Sequence, residues 1–220
     1  MSSTNLPKHY SLHHTPLFEG LPVNIEKGPL LVGCLKAMKK TIDYALSDYK
    51  QTFAFRLDLR FCSDFDATDS KFISRFESSI KAQIYADEQR RIKAGVRVHR
   101  TKVRVIWVKE WGYSSKGLKP HYHLAILLNK QAYRTLGDFK RVSGNMAARC
   151  RKACASALNK KLCDVTQLVH FPEKGVYIIG KRSPEDIAQL KAFFFRISYF
   201  AKLRQKKYGG EGNMYGASRK

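Results

Sequence analysis

Two histidines two residues apart, His121 and His123, open the run Lys119-Pro120-His121-Tyr122-His123-Leu124-Ala125-Ile126-Leu127-Leu128-Asn129. The run reads as a β-strand, in which successive side chains point to opposite faces, so both imidazoles project from one side. Two neutral imidazoles placed that way form a chelating pair for a divalent cation. Glu110 directly follows the strand-like run 103–108 and begins the connection back to His121. An antiparallel pairing of these strands would set its carboxylate beside the imidazoles. Two imidazoles and one carboxylate with coordination positions left open suit Mg²⁺ or Mn²⁺ acting as a Lewis acid better than a closed structural zinc. Asp58, on the polar side of an earlier strand, is a weaker ligand candidate, with Arg56 and Arg60 as its alternative local partners. Against the metal stand two plainer readings: histidines at a strand end satisfied by their neighbours, and Glu110 as an ordinary surface acid.

A nucleophile is offered near the C-terminus. Ser183-Pro184-Glu185-Asp186 is a helix start, with a serine cap, a proline in the first position and acids in the first turn. Ile187, Leu190, Phe194, Ile197 and Ala201 then form a buried stripe at three-and-four spacing. At about 100° per residue Tyr199 points away from that stripe, and Lys202 lies one turn further on the Tyr199 side. A phenol with its ordinary pKa near 10 attacks a phosphate only if a metal or a nearby cation assists, and Lys202 supplies such a charge. Tyr-x-x-Lys by itself is also what a helix surface shows by chance; its place downstream of the histidine pair is what singles it out.

Positioning these groups takes strands and helices in alternation. Hydrophobic periodicity predicts helices over 29–49, 68–93 (capped by Thr68 or Asp69), 131–161 (with Gly137 and Gly144 as early breaks) and 183 to about 207. Strands are predicted over 53–61, where Phe53, Phe55, Leu57, Leu59 and Phe61 alternate with Arg56, Asp58 and Arg60, over 103–108, through the His-Tyr-His run, and over 176–179. The inner part of this order is β-α-β-β-α-β. The expected fold is α+β, a central antiparallel sheet of four to five strands, ferredoxin-like or RRM-like, with flanking helices. Residues 1–28, interrupted by Pro7, Pro16, Gly20 and Pro22, read as an irregular arm, 29–207 as one domain and 208–220 as a flexible basic tail.

Composition narrows the partner. The chain has 220 residues, 44% of them hydrophobic, which is enough for a packed core, and a net charge of +23. Such a charge calls for a polyanion, and no basic face backed by a purely apolar one suggests a membrane surface. Residues 89–104 carry seven Lys or Arg and no acid, and 140–161 carry another seven. Arg56, Arg60, Arg97, Arg100, Lys102, Arg104 and Arg196 are the cations assigned to nucleic acid. No apolar run reaches the roughly 20 residues of a membrane span. The five cysteines form no CxxC pair, so neither a disulfide framework nor a zinc ribbon is indicated, and a reduced cytoplasmic setting is expected. A P-loop is lacking too.

His121-Tyr122-His123 followed by Tyr199-Phe200-Ala201-Lys202 resembles the signature of the HUH endonucleases, which include rolling-circle replication initiators, relaxases and related transposases. The middle residue of that signature is normally bulky and hydrophobic, and Tyr122 is a variant of it. Phe55-Arg56-Leu57-Asp58-Leu59-Arg60-Phe61 and Trp107-Val108-Lys109-Glu110-Trp111 look closest to inovirus gene II-type initiators and their cryptic-prophage relatives. The resemblance spans roughly residues 50–205. It implies a metal-dependent nick in single-stranded DNA at an origin hairpin, with Tyr199 joined to the 5′-phosphate and a free 3′-hydroxyl left for a polymerase. It further implies a single-tyrosine enzyme, since Tyr208 lies too far along to share the face of Tyr199, and a helicase recruited from the host. Alternatives are a transposase using the same chemistry and a non-catalytic RRM-like binder stacking bases on Phe53, Phe55, Tyr122 and Tyr177.

Overall fold

The computed structural model describes residues 10–61, 65, 69–114, 117–203 and 213–218. Four short strands come first: β1 (Leu12–His13), β2 (Leu17–Phe18), β3 (Leu21–Pro22) and β4 (Leu30–Leu31). Then follow α1 (Val32–Asp48), β5 (Gln51–Arg60), α2 (Phe72–Lys93), β6 (Arg104–Ser114), β7 (Gly117–Asn129), α3 (Met146–Leu158) and α4 (Leu162–Val165). The chain continues through β8 (Val169–His170), β9 (Val176–Gly180), α5 (Pro184–Ser198), a 3₁₀ turn at Tyr199–Ala201 and β10 (Tyr215–Ala217).

Six of these strands make one antiparallel sheet, in the order β10-β6-β7-β5, with β8 and β9 both pairing the far side of β5. Alternation sorts its side chains. Phe53, Phe55, Leu57 and Leu59 of β5 share one face with Tyr122, Leu124, Ile126 and Leu128 of β7, packed under Phe72, Phe76 and Ile80 of α2 and Ala147, Cys150 and Cys154 of α3. Ala54, Ile106, Val108, Ala125 and Leu127 form the opposite face, beneath Leu35, Met38 and Ile42 of α1 and Phe193, Phe194 and Ile197 of α5. Both faces are therefore covered by helices, and α+β is the class.

Several boundaries differ from those the sequence predicts. The third helix starts only at Met146, because Gly137 and Gly144 take left-handed φ values of 82° and 81° and Asn145 caps the helix by accepting from the Ala148 amide at 2.8 Å. Ser183 caps α5 as predicted, accepting from Asp186 at 3.1 Å, but regular helix stops at Ser198, so Tyr199 stands in the 3₁₀ turn rather than on the helix. In the buried face of α5, Phe193 takes the place expected of Ile187, which is exposed.

The stretch 1–28, predicted to be an irregular arm, is integrated where it is described: β2 and β3 form a tight hairpin around Glu19 and Gly20, both at positive φ, and Phe18 and Val23 are buried beside α1 and α5. The tail is corrected in the same way. Tyr215–Ala217 adds β10 to the edge of β6, so 213–218 is ordered structure; residues 208–212, including Tyr208, and 219–220 lie outside the described residues. Thr68 is also outside them, while Asp69 accepts from the Lys71 amide at 3.0 Å.

Candidate metal centre and tyrosine turn

Register alone brings the acid to the histidines. Glu110 on β6 lies directly across from His121 on β7, and Asp58 on β5 lies directly across from His123. All four belong to the face that α1 and α5 cover, at the end of the sheet where the apolar residues give out. One ligand atom from each of Glu110, His121 and His123 falls within 4.8 Å of the others, the only such group of three or more metal-ligating side chains among the described residues. Both Nε2 atoms turn toward the same carboxylate oxygen: His123 Nε2 is 3.5 Å and His121 Nε2 3.7 Å from Glu110 Oε2. Glu110 is fully buried, whereas His121 keeps an exposed edge, so the cluster opens on that side. Two imidazoles and a buried carboxylate sharing one focus form a group able to hold a metal ion.

A supporting layer fixes the inner histidine. His123 Nδ1 is 2.7 Å from Asp58 Oδ1, and donation of its proton there leaves the Nε2 lone pair aimed at the focus. Arg56 clamps the same carboxylate through Nε at 2.9 Å and Nη2 at 3.0 Å. Arg56 Nη2 also lies 3.1 Å from His123 Nδ1, which in this tautomer is a contact between two donors and not a hydrogen bond. Phe200 sandwiches the arrangement, its ring stacked on His123 at 5.5 Å with the Arg56 guanidinium 5.1 Å from its centre. Burial pushes the Asp58 carboxyl up, but the hydrogen bonds and charges of His123 and Arg56 outweigh it and hold the group well below the usual carboxylate range. Burial likewise opposes charge on His123, yet bonding to Asp58 and Glu110 prevails and the imidazole is raised.

Lys202 joins the tyrosine to this cluster. Its ammonium is 2.9 Å from Glu110 Oε2 and 3.7 Å from the centre of the Tyr199 ring, so phenol and acid are separated by a single cation. The side chain is buried, and its backbone bridges to Leu30 of β4. Asn24 donates its amide to Ser198 Oγ at 2.8 Å immediately before the turn. The N-terminal segment thus holds the tyrosine turn in place.

The family model of the YagK/YfjJ C-terminal domain matches residues 13–218, nearly all of the described fold. The chain belongs to the YagK/YfjJ C-terminal domain family. Among its relatives, the uncharacterized protein YagK of Escherichia coli (strain K12) is 32% identical over 190 residues, covering 82% of this chain and 89% of that protein. The uncharacterized protein YfjJ of the same strain is 29% identical over 195 residues, covering 83% and 91%. No solved structure matches the chain.

The remaining predicted residues scatter. Arg60 is exposed across from His121, at the open end. Arg56, assigned to nucleic acid from sequence, is instead committed to Asp58, because the period of β5 turns both inward. Arg104 is corrected too: it is buried and paired with Asp48 at 2.7 Å, with Lys102 reaching the same carboxylate at 3.3 Å. Arg97 and Arg100 are exposed, but precede β6 and so lie at the other end of the sheet from Glu110. Arg196 donates to the Glu173 carbonyl at 2.9 Å, one helical turn before Tyr199. Sequence reasoning missed Phe200 and His170. Phe200 gave no signal beyond its place in the stripe-free turn. His170 lies across from Asp58 on β8, exposed on the face of the cluster, and a two-residue strand carries no readable period.

Proposed function

We propose that this protein is a metal-dependent endonuclease that nicks and rejoins single-stranded DNA through a covalent 5′-phosphotyrosine, initiating rolling-circle replication of a phage, satellite or plasmid. The carrying observation is the convergence of Glu110, His121 and His123 with Tyr199 through Lys202. Strand order supports the scaffold this reading requires: β6-β7-β5-β9 is second, third, first, fourth in a β-α-β-β-α-β unit, the arrangement of a ferredoxin-like sheet.

In this mechanism Glu110, His121 and His123 would hold Mg²⁺ or Mn²⁺, which supplies Lewis-acid polarisation of the scissile phosphate. The Tyr199 oxygen attacks phosphorus, the bond from phosphorus to the 3′-oxygen breaks, and the phenolic proton is balanced by the one taken up on the departing 3′-hydroxyl. Lys202 places positive charge against the ring that becomes phenolate-like, and Asp58 keeps His123 in the tautomer that offers Nε2. Attack of a 3′-hydroxyl on the phosphotyrosine restores the strand. Such an enzyme works where DNA is, in the cytoplasm, with an origin hairpin as substrate and a host helicase and polymerase to extend the new end. No described helix is long and apolar enough to cross a membrane.

A binder that stacks bases on the sheet is disfavoured by burial: Phe53, Phe55 and Tyr122 lie under α2 and α3, and Tyr177 packs on Phe193. A transposase would share the site and differ in taking hairpin-ended substrates. The decisive assay incubates a labelled single-stranded origin oligonucleotide with the protein and Mn²⁺. A denaturation-resistant adduct is expected with the intact chain and none with Tyr199→Phe or with His121→Ala/His123→Ala. An adduct surviving in Tyr199→Phe would assign the chemistry to another residue, and none with the intact chain would end the proposal.

A further inference from the structure

Two recesses lie at the end of the sheet remote from the metal centre. The first, of about 580 Å³, is walled by Tyr49 after α1, Tyr85 and Glu88 on α2, and Arg100 and Lys102 ahead of β6. The second, of about 530 Å³, is lined by Lys50, Lys130 and Arg182 and shares Asp48 and Tyr49 with the first, so the two make one trough around the sheet end. From His121 to Asn129 the strand β7 covers roughly 25 Å at about 3.3 Å per residue, too far for one phosphate to touch both ends.

The trough is built rather than incidental. Residues 100–102 belong to no helix or strand, yet they are pinned from three sides: the Thr101 amide donates to Glu88 Oε1 at 3.0 Å, the Lys102 amide to Tyr49 Oη at 2.7 Å, and Thr101 Oγ1 accepts from the Asn129 amide at 2.8 Å. Asn129 Nδ2 donates to the Arg100 carbonyl at 3.0 Å. The hydrogen bonds hold a backbone whose side chains are left to solvent. Arg100 of the first recess and Arg182 of the second are exposed and make no ion pair among the described residues. Tyr85, 63% exposed, presents its ring in the same wall as Arg100. Unpaired guanidinium groups beside an open aromatic ring are what a nucleic-acid strand meets on a binding surface, where cations follow phosphates and rings take unpaired bases.

We propose that this trough is a second DNA-binding site, occupied by single-stranded substrate beyond the nicked phosphate, with phosphates on Arg100 and Arg182 and a base stacked on Tyr85. The identification of the polyanion as DNA rests on the nickase reading, and the two are separable by experiment. The test variant is Tyr85→Ala/Arg100→Ala/Arg182→Ala, in which all three side chains are exposed, with thermal melting to verify that the fold is kept. Anisotropy measures binding of oligo(dT) of about 40 and about 8 nucleotides, lengths above and within the reach of a single binding groove. The variant is expected to bind the long strand about tenfold or more weakly, with a salt slope reduced by about 1.4 for two lost phosphate contacts. The short strand should bind as before, and a short origin oligonucleotide should form the Tyr199 adduct at an unchanged rate. Unchanged affinity for the long strand, or an equal loss for both lengths, overturns the second site. Should the intact protein form no adduct at all, the nickase reading fails while the length-dependent binding, repeated in His121→Ala/His123→Ala, still decides the trough.

Discussion

Asp58 illustrates how a residue can be seen in a sequence and have only part of its task read, for its pairing with Arg56 is formed while its bond to His123 is not foreseen. The period of two placed it on the polar side of β5, which made it a candidate ligand or a partner for a neighbouring arginine. Its observed work is to bind His123 Nδ1 while Arg56 neutralises it. The same period made His121, His123 and Glu110 legible, because a strand's alternation and a hairpin's pairing are local rules. Which of the polar residues of β5 faces the cluster, and against what, depends on the register between β5 and β7, which no local rule supplies. Removing a partner that orients a metal-binding imidazole lowers metal affinity by about 10–100-fold, the expected result for Asp58→Asn when Mn²⁺ is titrated calorimetrically. Stability carries a second signature. A carboxyl held below its unfolded value stabilises the fold above about pH 4 and loses that contribution as the pH falls toward its native value. In metal-free urea melts Asp58→Asn should therefore cost about 2–3 kcal/mol at pH 7, and the gap to the parent chain should narrow below about pH 4. A gap that widens in acid would assign the role to another carboxylate.

At the scale of elements, long periodic segments were readable and short or terminal ones were not. Helix α5 ends about nine residues before the predicted stop, but α1 and α2, the start of α5, and strands β5, β7 and β9 lie within a few residues of where periodicity puts them, because each buries a face long enough to show its spacing. Strands of two or three residues show none. That is why the N-terminal segment looked like an arm and the C-terminal one like a loose tail, though β4 bridges Lys202 and β10 closes the edge of β6. Close approach holds the last strand in place. A Cβ on Gly216 would come 2.7–2.8 Å from the Trp107 indole, a rigid neighbour that cannot yield. Gly216→Ala should thus displace β10, seen as faster hydrogen exchange at the Lys109 amide, which donates to the Met214 carbonyl, and at the Ser218 amide, which donates to Val105. Unchanged protection at both would mean the edge tolerates the methyl group.

The molecule as a whole is a sheet clad on both faces, with the candidate metal centre at one end and the trough at the other. Composition raises the expectation of a polyanion partner but not this division, since net charge is blind to where cations lie and buried arginines such as Arg104 count toward it without reaching solvent. With cations at two separated places, single-strand binding should involve many phosphates at once. Raising salt from about 50 to about 200 mM is expected to weaken binding of a long strand a hundredfold or more, a drop readable by anisotropy. A loss of only a few-fold would confine the contacts to the vicinity of Tyr199.

The tie between Leu30 and Lys202 has a consequence for biosynthesis. A chain emerging from the ribosome exposes Glu110 and both imidazoles well before the lysine and tyrosine that complete the cluster exist, and the edge of β6 stays open until Ala217 is out. Fragments ending before Tyr199 would carry Glu110 and both imidazoles but neither the tyrosine nor Lys202, so under the proposed mechanism they would form no adduct.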